Sequence, residues 1–333
     1  MNPLLISLLM VFAVLAAAVL GRPLIRAAAP ALIRFPRLAV VSLGSSLALW
    51  LASVMAAGLF LAWSLTGPSP LPESVAKVCQ RCLEASNPFS AGFVLETGVP
   101  SAAFLMAPAG AGLLLVALGL RAVVQRRRSL QETCRSLLPV GHRRIIDGHL
   151  VTVVDDPHPS AFALGRDRWG IVVTTGLLAA LDPQELRAVL AHEAAHLRER
   201  HHLVLDLIGS ITGPLRRVPL AAAIADAVPH YLEVSADNAA RRRAGTRALA
   251  SALLILGEAS SGQRRASDRT GSERVLLAAG PERVRQLVAP QNPRHGMLGA
   301  LAMIAIMAVL ILTSATAHGA ALSAVVSGCV IGA

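Results

Sequence analysis

The sequence predicts a mostly α-helical membrane protein of about four transmembrane helices, with a cytosolic α+β domain inserted between the third and the fourth. Three observations lead there. Apolar residues make up 54% of the 333 residues while aromatics make up only 3%, which is unlike an ordinary soluble globule. The apolar residues gather in four long uncharged stretches. The arginines cluster at alternate ends of those stretches.

The stretches justify the helices in order. Residues 1–21 carry no charge and are long enough to cross a bilayer. They lack both a basic N-terminal region and a small-residue cleavage site, so they read as a retained span and not as a removed signal. Residues 38–66 form a second run and 98–120 a third. The fourth begins at Met297 and runs to about Thr313, and from there to Ala333 only the titratable His318 interrupts an uncharged tail. The domain boundaries follow. Residues 1–120 are a membrane region with helices at about 2–21, 39–65 and 98–120 and an external loop over 67–97. Residues 121–296 are the inserted domain, and 297–333 are the last helix with a short external tail.

Positive residues are retained in the cytoplasm, which sets the orientation. Arg22, Arg26, Arg34 and Arg37 lie between the first two stretches, and Arg121, Arg126, Arg127 and Arg128 follow the third. Between the second and third, Lys77 and Arg81 are offset by Glu73, Glu84 and Glu96. This reads as a multi-pass protein of the cell membrane with both termini external and residues 121–296 in the cytoplasm.

Within that inserted segment the most informative residues are His192-Glu193-Ala194-Ala195-His196. On an α-helix, positions i and i+4 share a face, so both imidazoles can reach one Zn²⁺ while the glutamate between them stays free to act as a base on water. Asp182-Pro183-Gln184-Glu185 just upstream reads as a helix start, with Asp at the N-cap, Pro at N1 and Glu at N3. The helix is expected to run to about His202.

Two histidines leave a catalytic zinc one protein ligand short. The candidate stretch is Tyr231-Leu232-Glu233-Val234-Ser235-Ala236-Asp237, in a segment expected to be helical over 219–247. Glu233 and Asp237 are one turn apart, so Glu233 is expected to bind the metal while Asp237 orients a ligating histidine. His230, Tyr231 and Arg241 are the candidate donors to an oxyanion. The other cytosolic histidines, His142, His149, His158, His201, His202 and His295, read as surface or capping residues.

The HExxH…ExxxD pattern resembles the gluzincin metallopeptidases. The segment from Ala161-Phe162-Ala163-Leu164 through Ile171-Val172-Val173-Thr174 is similar to the strand region preceding the motif in their membrane-bound branches. Those branches are the BlaR/MecR-type signal transducers and the HtpX and CAAX-prenyl-protease relatives. A domain between the third and fourth spans resembles the BlaR/MecR type, but without their penicillin-binding sensor domain. The resemblance implies a zinc metalloendopeptidase holding one Zn²⁺, which relays a signal by cutting a cytosolic protein such as a transcriptional repressor. HtpX-like quality control of membrane proteins is the alternative, and a non-catalytic zinc-containing receptor is the reading from another class. A peptide substrate is expected to add as a strand beside residues 161–164 or 171–174.

The net charge of +11 is explained by the positive-inside bias, and no helix-turn-helix, zinc-finger or aromatic RNA-binding pattern accompanies it. Direct nucleic-acid binding is therefore not expected. The lipid bilayer is the expected partner of Arg126 to Arg128. Cys79-Gln80-Arg81-Cys82 falls in the external loop, where a local disulfide is expected, while Cys134 stands alone inside and Cys329 outside. Residues 259–267, small, polar and basic, read as a loop and as a candidate for self-cleavage.

Overall fold

The computed structural model describes residues 3–68, 72–87, 95–137, 141–164, 170–264 and 296–326. Among the described residues, four helices carry stretches long and apolar enough to cross a membrane: Leu4–Leu32, Pro36–Ser64, Ser101–Ser129 and Met297–Ser323. The helices that contain them are α1 (Pro3–Leu32), α2 (Pro36–Ser64), α4 (Ser101–Leu137) and α10 (Met297–Val326). Three run well past the expected ends. α1 continues beyond Gly21 and accommodates Pro23 and Pro30, so Arg22 and Arg26 sit on a helix and not in a loop. α4 runs through the arginine cluster to Leu137, and α10 through His318. In α1 the helix passes through Gly21 and Pro23, and in α4 through the arginines, since neither a single breaker nor charge alone ends a helix that packing supports.

Between α2 and α4, residues of the expected external loop form β1 (Leu65–Thr66), α3 (Glu73–Ala85) and β2 (Leu95–Glu96), with β1 and β2 paired in parallel. Cys79 and Cys82 both lie on α3, and the Cys79 side chain is outside the described atoms, as are the Cys134 side chain, His295 and Cys329.

The bundle closes through small residues and satisfied polar groups. A Cβ on Gly299 would stand 2.6 Å from the Ala27 carbonyl carbon, so only glycine lets α10 lie this close to α1. Ser7 and Ser64 share a 2.7 Å hydrogen bond, and Trp50 Nε1 donates to the Val14 carbonyl oxygen at 3.0 Å. No buried indole or hydroxyl of these three is left without a partner, as an apolar surrounding requires.

The α+β part starts with a hairpin of β3 (His142–Ile146) and β4 (His149–Val154). Its two-residue turn is Asp147-Gly148, both at positive φ (47° and 76°), the Asp-Gly pairing that a tight hairpin favours. β5 (Ala161–Leu164) and β6 (Gly170–Thr174) complete a sheet of order β3-β4-β6-β5, with β4 and β6 parallel and the outer pairs antiparallel. The two central strands bury Val151, Val153, Ile171 and Val173 against Leu177, Val189, Leu190 and Ala252. Leu177 belongs to α5 (Thr175–Ala180), capped by Thr174, whose Oγ1 accepts from the Leu177 N–H at 3.2 Å. Val189 and Leu190 belong to α6 (Pro183–Arg198), which lies against β5 and β6, and Ala252 to α9 (Thr246–Arg264). α9 overturns the loop expected from residue 259: the backbone stays helical to Arg264, because Ala, Ser and Gln tolerate a helix that packing already supports. Residues 265–267 of that expected loop lie outside the described residues.

Two helices join the α+β part to the bundle. These are α7 (His201–Thr212) and α8 (Pro219–Ala244, ended by Gly245 at φ 86°). The N-terminal half of α8 places Leu220, Ala221, Ile224, Val228 and Tyr231 in the same apolar cluster as Leu43, Leu47 and Phe60 of α2. A Cβ on Gly21 of α1 would stand 2.5 Å from Leu220 Cδ1, so α8 needs that glycine to seat itself. α7 packs on α4, and Arg126 Nη1 lies 3.1 Å from Asp206 Oδ1. Arg126, expected to meet lipid headgroups, thus has a protein partner.

Candidate metal centre

α6 begins as its first residues dictate. The Asp182 carboxylate accepts from the Gln184 and Glu185 N–H groups at 2.8 Å each, and Glu185 returns the favour to the Asp182 N–H at 2.9 Å. Glu185 also accepts from Ser251 of α9, pinning the start of α6. With that end fixed, Val189 and Leu190 enter the core, and His192 and His196, one turn apart on a shared face, meet Glu233 of α8.

There the structure brings His192, His196 and Glu233 together. His192 Nε2 and His196 Nε2 are 3.0 Å apart, and the Glu233 carboxylate oxygens stand 3.4 Å from the first and 3.5 Å from the second. Two donors about 2.0–2.1 Å from a zinc ion at a tetrahedral angle are about 3.3 Å apart, and one atom from each of the three residues lies within 4.8 Å of the others, close enough to converge on one ion. The chemistry of the donors, two imidazoles and one carboxylate, also fits a catalytic zinc with an open fourth position. Glu193 is buried beside His192 and is not among the converging donors.

Behind the donors stand further polar groups. Asp237 Oδ1 is 3.0 Å from His192 Nδ1, within reach although off the line of a well-aligned hydrogen bond. Burial alone would drive the His192 imidazole down, but Asp237 and Glu233, joined by the charge of Glu193, outweigh it and hold it up at about 10.

The structure adds residues that the sequence reading passed over. α6 ends at Arg198 and not at His202, because Arg200 turns the chain with a left-handed φ of 53°. The turn sends His201, read from sequence as a surface or capping residue, into the interior at 2% exposure. Its Nδ1 lies 2.9 Å from His196 Nδ1, and its Nε2 lies 3.2 Å from Glu199 Oε2. The same Glu199 oxygen accepts from Ser235 Oγ at 2.9 Å and from Arg37 Nε at 3.0 Å, and the other accepts from Arg37 Nη2. Burial pushes the Glu199 carboxyl up, but Arg37, Ser235 and His201 more than reverse this and bring it down to about 2. Burial lowers His201 in spite of Glu199, which pulls the other way.

Of the three oxyanion candidates, helical spacing puts His230 and Arg241 nearer the Glu233 side of α8 than Tyr231, and His230 is the one within a turn of Glu233. Tyr231 is two residues before Glu233 and so turns to the opposite face, where it is buried in the apolar cluster with α2. Arg241 is exposed and two turns further on, about 12 Å along the axis. His158 pairs with Asp156 at the surface, and His142 and His202 are exposed.

Residues 125–288 match the sequence model of peptidase family M48. That stretch contains the whole donor set, and the match supports a membrane metallopeptidase of M48 type without selecting the BlaR/MecR branch. Among curated proteins, the "Protease HtpX homolog" of Acidiphilium cryptum is 45% identical over 67 residues, 20% of this chain and 23% of that protein. The "Protease HtpX homolog" of Caldanaerobacter subterraneus subsp. tengcongensis is 42% identical over 65 residues, 19% and 22% of the two chains. The alignment thus spans less than a quarter of the length of these relatives. No solved structure matches the chain.

Proposed function

We propose that this chain is an integral-membrane zinc metalloendopeptidase. The observation that carries the reading is the converging set of His192, His196 and Glu233, with a glutamate outside that set next to the first histidine on the same helix. His192, His196 and Glu233 would hold the ion. A zinc ion there supplies Lewis acidity and lowers the pKa of water toward neutrality. Glu193 takes the proton from the attacking water and delivers it to the leaving amine. Asp237 fixes the His192 ring, and His230 is the candidate donor to the oxyanion.

The peptide is expected along β5. Of the two strands considered from sequence, β6 is paired on both sides, by β4 and β5, and has no free edge. The Thr174 N–H donates to the Ser160 carbonyl, so by the antiparallel alternation Ala161 and Ala163 turn their backbone groups outward. β5 also lies against α6, which puts that edge beside the motif.

For the substrate we favour membrane-associated protein segments, as in the HtpX-like reading. α8 is packed into the membrane bundle through one half and carries Glu233 on the other, so the site is tied to the bundle. The BlaR/MecR-like reading, cleavage of a soluble transcriptional repressor, is the other outcome of the same test, and the arginine distribution supports a cytoplasmic site for either. Glu193→Gln should retain stoichiometric zinc and a folded domain while abolishing cleavage, and cross-linking should then trap uncut substrate. A broad set of membrane proteins supports the first reading and a single small DNA-binding protein the second. Wild-type cleavage by Glu193→Gln would sink the role of Glu193 as the base, whereas a wild-type protein that binds zinc and cleaves nothing would leave the zinc-containing receptor.

A further inference from the structure

We propose that His196 is held ready for its metal by a chain of three positioning residues, His201, Glu199 and Arg37. The last comes from the first turn of a membrane-crossing helix, so the site is complete only when the zinc-binding helices are docked on the bundle. The proposal rests on the metallopeptidase reading above.

The proton positions carry the argument. His196 Nε2 faces His192 Nε2 and the Glu233 carboxylate, so that nitrogen must keep its lone pair free for a metal. A neutral imidazole then carries its single proton on Nδ1. This Nδ1–H points to His201 Nδ1 at 2.9 Å, which must accept, and the His201 proton therefore sits on Nε2. Nε2–H in turn has Glu199 Oε2 at 3.2 Å, an acceptor only. With both rings neutral, one assignment satisfies the two contacts, and it is the one that leaves His196 Nε2 open. Reversing the chain would put a proton on His196 Nε2 and close the site. Glu199 thus selects the metal-binding tautomer of His196 through an intervening imidazole, as Asp237 faces His192 directly.

Glu199 is itself held from three sides. Its backbone caps the C-terminal end of α6, Ser235 reaches it from the helix of Glu233, and Arg37 grips both oxygens with Nε and Nη2. The Glu199 side chain is 13% exposed and that of Arg37 is 65% exposed. The inner end of the chain is fixed and dry, and the outer end is the accessible one, at the start of α2. An exposed ion pair by itself contributes little to stability. Its position at the end of a hydrogen-bonded series running to a metal donor is what gives this one an effect on the site.

The test uses the full-length protein in detergent, with zinc affinity measured by chelator competition and turnover measured on fluorescein-labelled casein. Glu199→Gln and Arg37→Ala should each weaken zinc binding and lower kcat by about 10- to 100-fold, the usual effect of losing a partner behind a metal ligand, with KM little changed. The glutamine amide can donate to His201 Nε2 and so permit the closed tautomer. Arg37→Lys, a point charge without the two-pronged grip, should recover part of the loss. The double variant Arg37→Ala/Glu199→Gln should be no worse than Glu199→Gln alone, since both cut one chain. Arg216→Ala, which breaks an exposed pair with Asp226, should change neither quantity. If Glu199→Gln fails to fold, Arg37→Ala against Arg37→Lys decides. Wild-type zinc affinity in Arg37→Ala and Glu199→Gln, in a protein that Glu193→Gln inactivates, overturns the positioning chain and leaves the peptidase intact. A wild-type protein that binds no zinc overturns the peptidase reading instead.

Discussion

Glu233 and Asp237 are both buried acids one turn apart on α8, yet the structure gives them different tasks. Glu233 reaches both Nε2 atoms, whereas Asp237 meets His192 from behind at Nδ1. Asp237→Ala should therefore cost about 10- to 100-fold in zinc affinity, and Glu233→Ala more. Metal analysis of the two purified variants checks this, and an empty Asp237→Ala beside a loaded Glu233→Ala would reverse the assignment. Glu199 makes a prediction of another kind. Its folded pKa of about 2 lies below the ordinary 4.5, so its contribution to stability is fully present above pH 4.5 and is lost as the pH falls toward 2. Arg37→Ala should bring that pKa back up, so the difference in thermal midpoint between wild type and variant should be greatest above pH 4.5 and close toward pH 2. The residues that share a helical repeat, His192, Glu193, His196, Glu233 and Asp237, were all legible in the sequence. Arg37, Glu199, Ser235 and His201 were not, because four separate segments meet at Glu199 and no periodicity connects them.

At the scale of elements, the decisive local event is the corner between α6 and α7. Nothing in Arg198-Glu199-Arg200-His201 marks a break, since neither glycine nor proline is present, and a continuous helix is the natural reading. Continued as a helix, His201 would stand five residues and about 140° away from His196, and the two rings would not meet. The left-handed Arg200 is what folds one onto the other, at a cost of about 1–2 kcal/mol for a residue with a Cβ. Arg200→Gly should keep zinc affinity and leave the melting temperature equal or higher, whereas Arg200→Val, β-branched, should lower both. Equal behaviour of the two variants would show that the corner does not depend on this backbone state. The start of α6, by contrast, was readable at sight, because Asp-Pro-x-Glu states its own hydrogen bonds.

For the molecule as a whole, the four apolar stretches were legible because bilayer thickness sets their length, but how the inserted helices meet them was not. α8 reads as one amphipathic helix, and only the packing reveals that its first half belongs to the membrane core. The orientation rests on the arginines and gives a direct expectation: on intact cells a membrane-impermeant thiol reagent should label Cys79 after mild reduction and Cys134 only after lysis. Equal labelling of Cys134 in intact cells would place the inserted segment outside. Cys134 lies in the part of α4 beyond the third apolar stretch, and that part has a mechanical consequence. From Arg121 to Leu137 the helix contains no glycine or proline and continues for about 25 Å beyond the third apolar stretch read from the sequence. A change in tilt of about 10°, well within what a thicker or thinner bilayer imposes, swings its free end by about 4 Å. α7 is joined to α4 at the base of that lever through Ser210 against Gly119 and along it through Asp206 against Arg126, and α7 begins at His201.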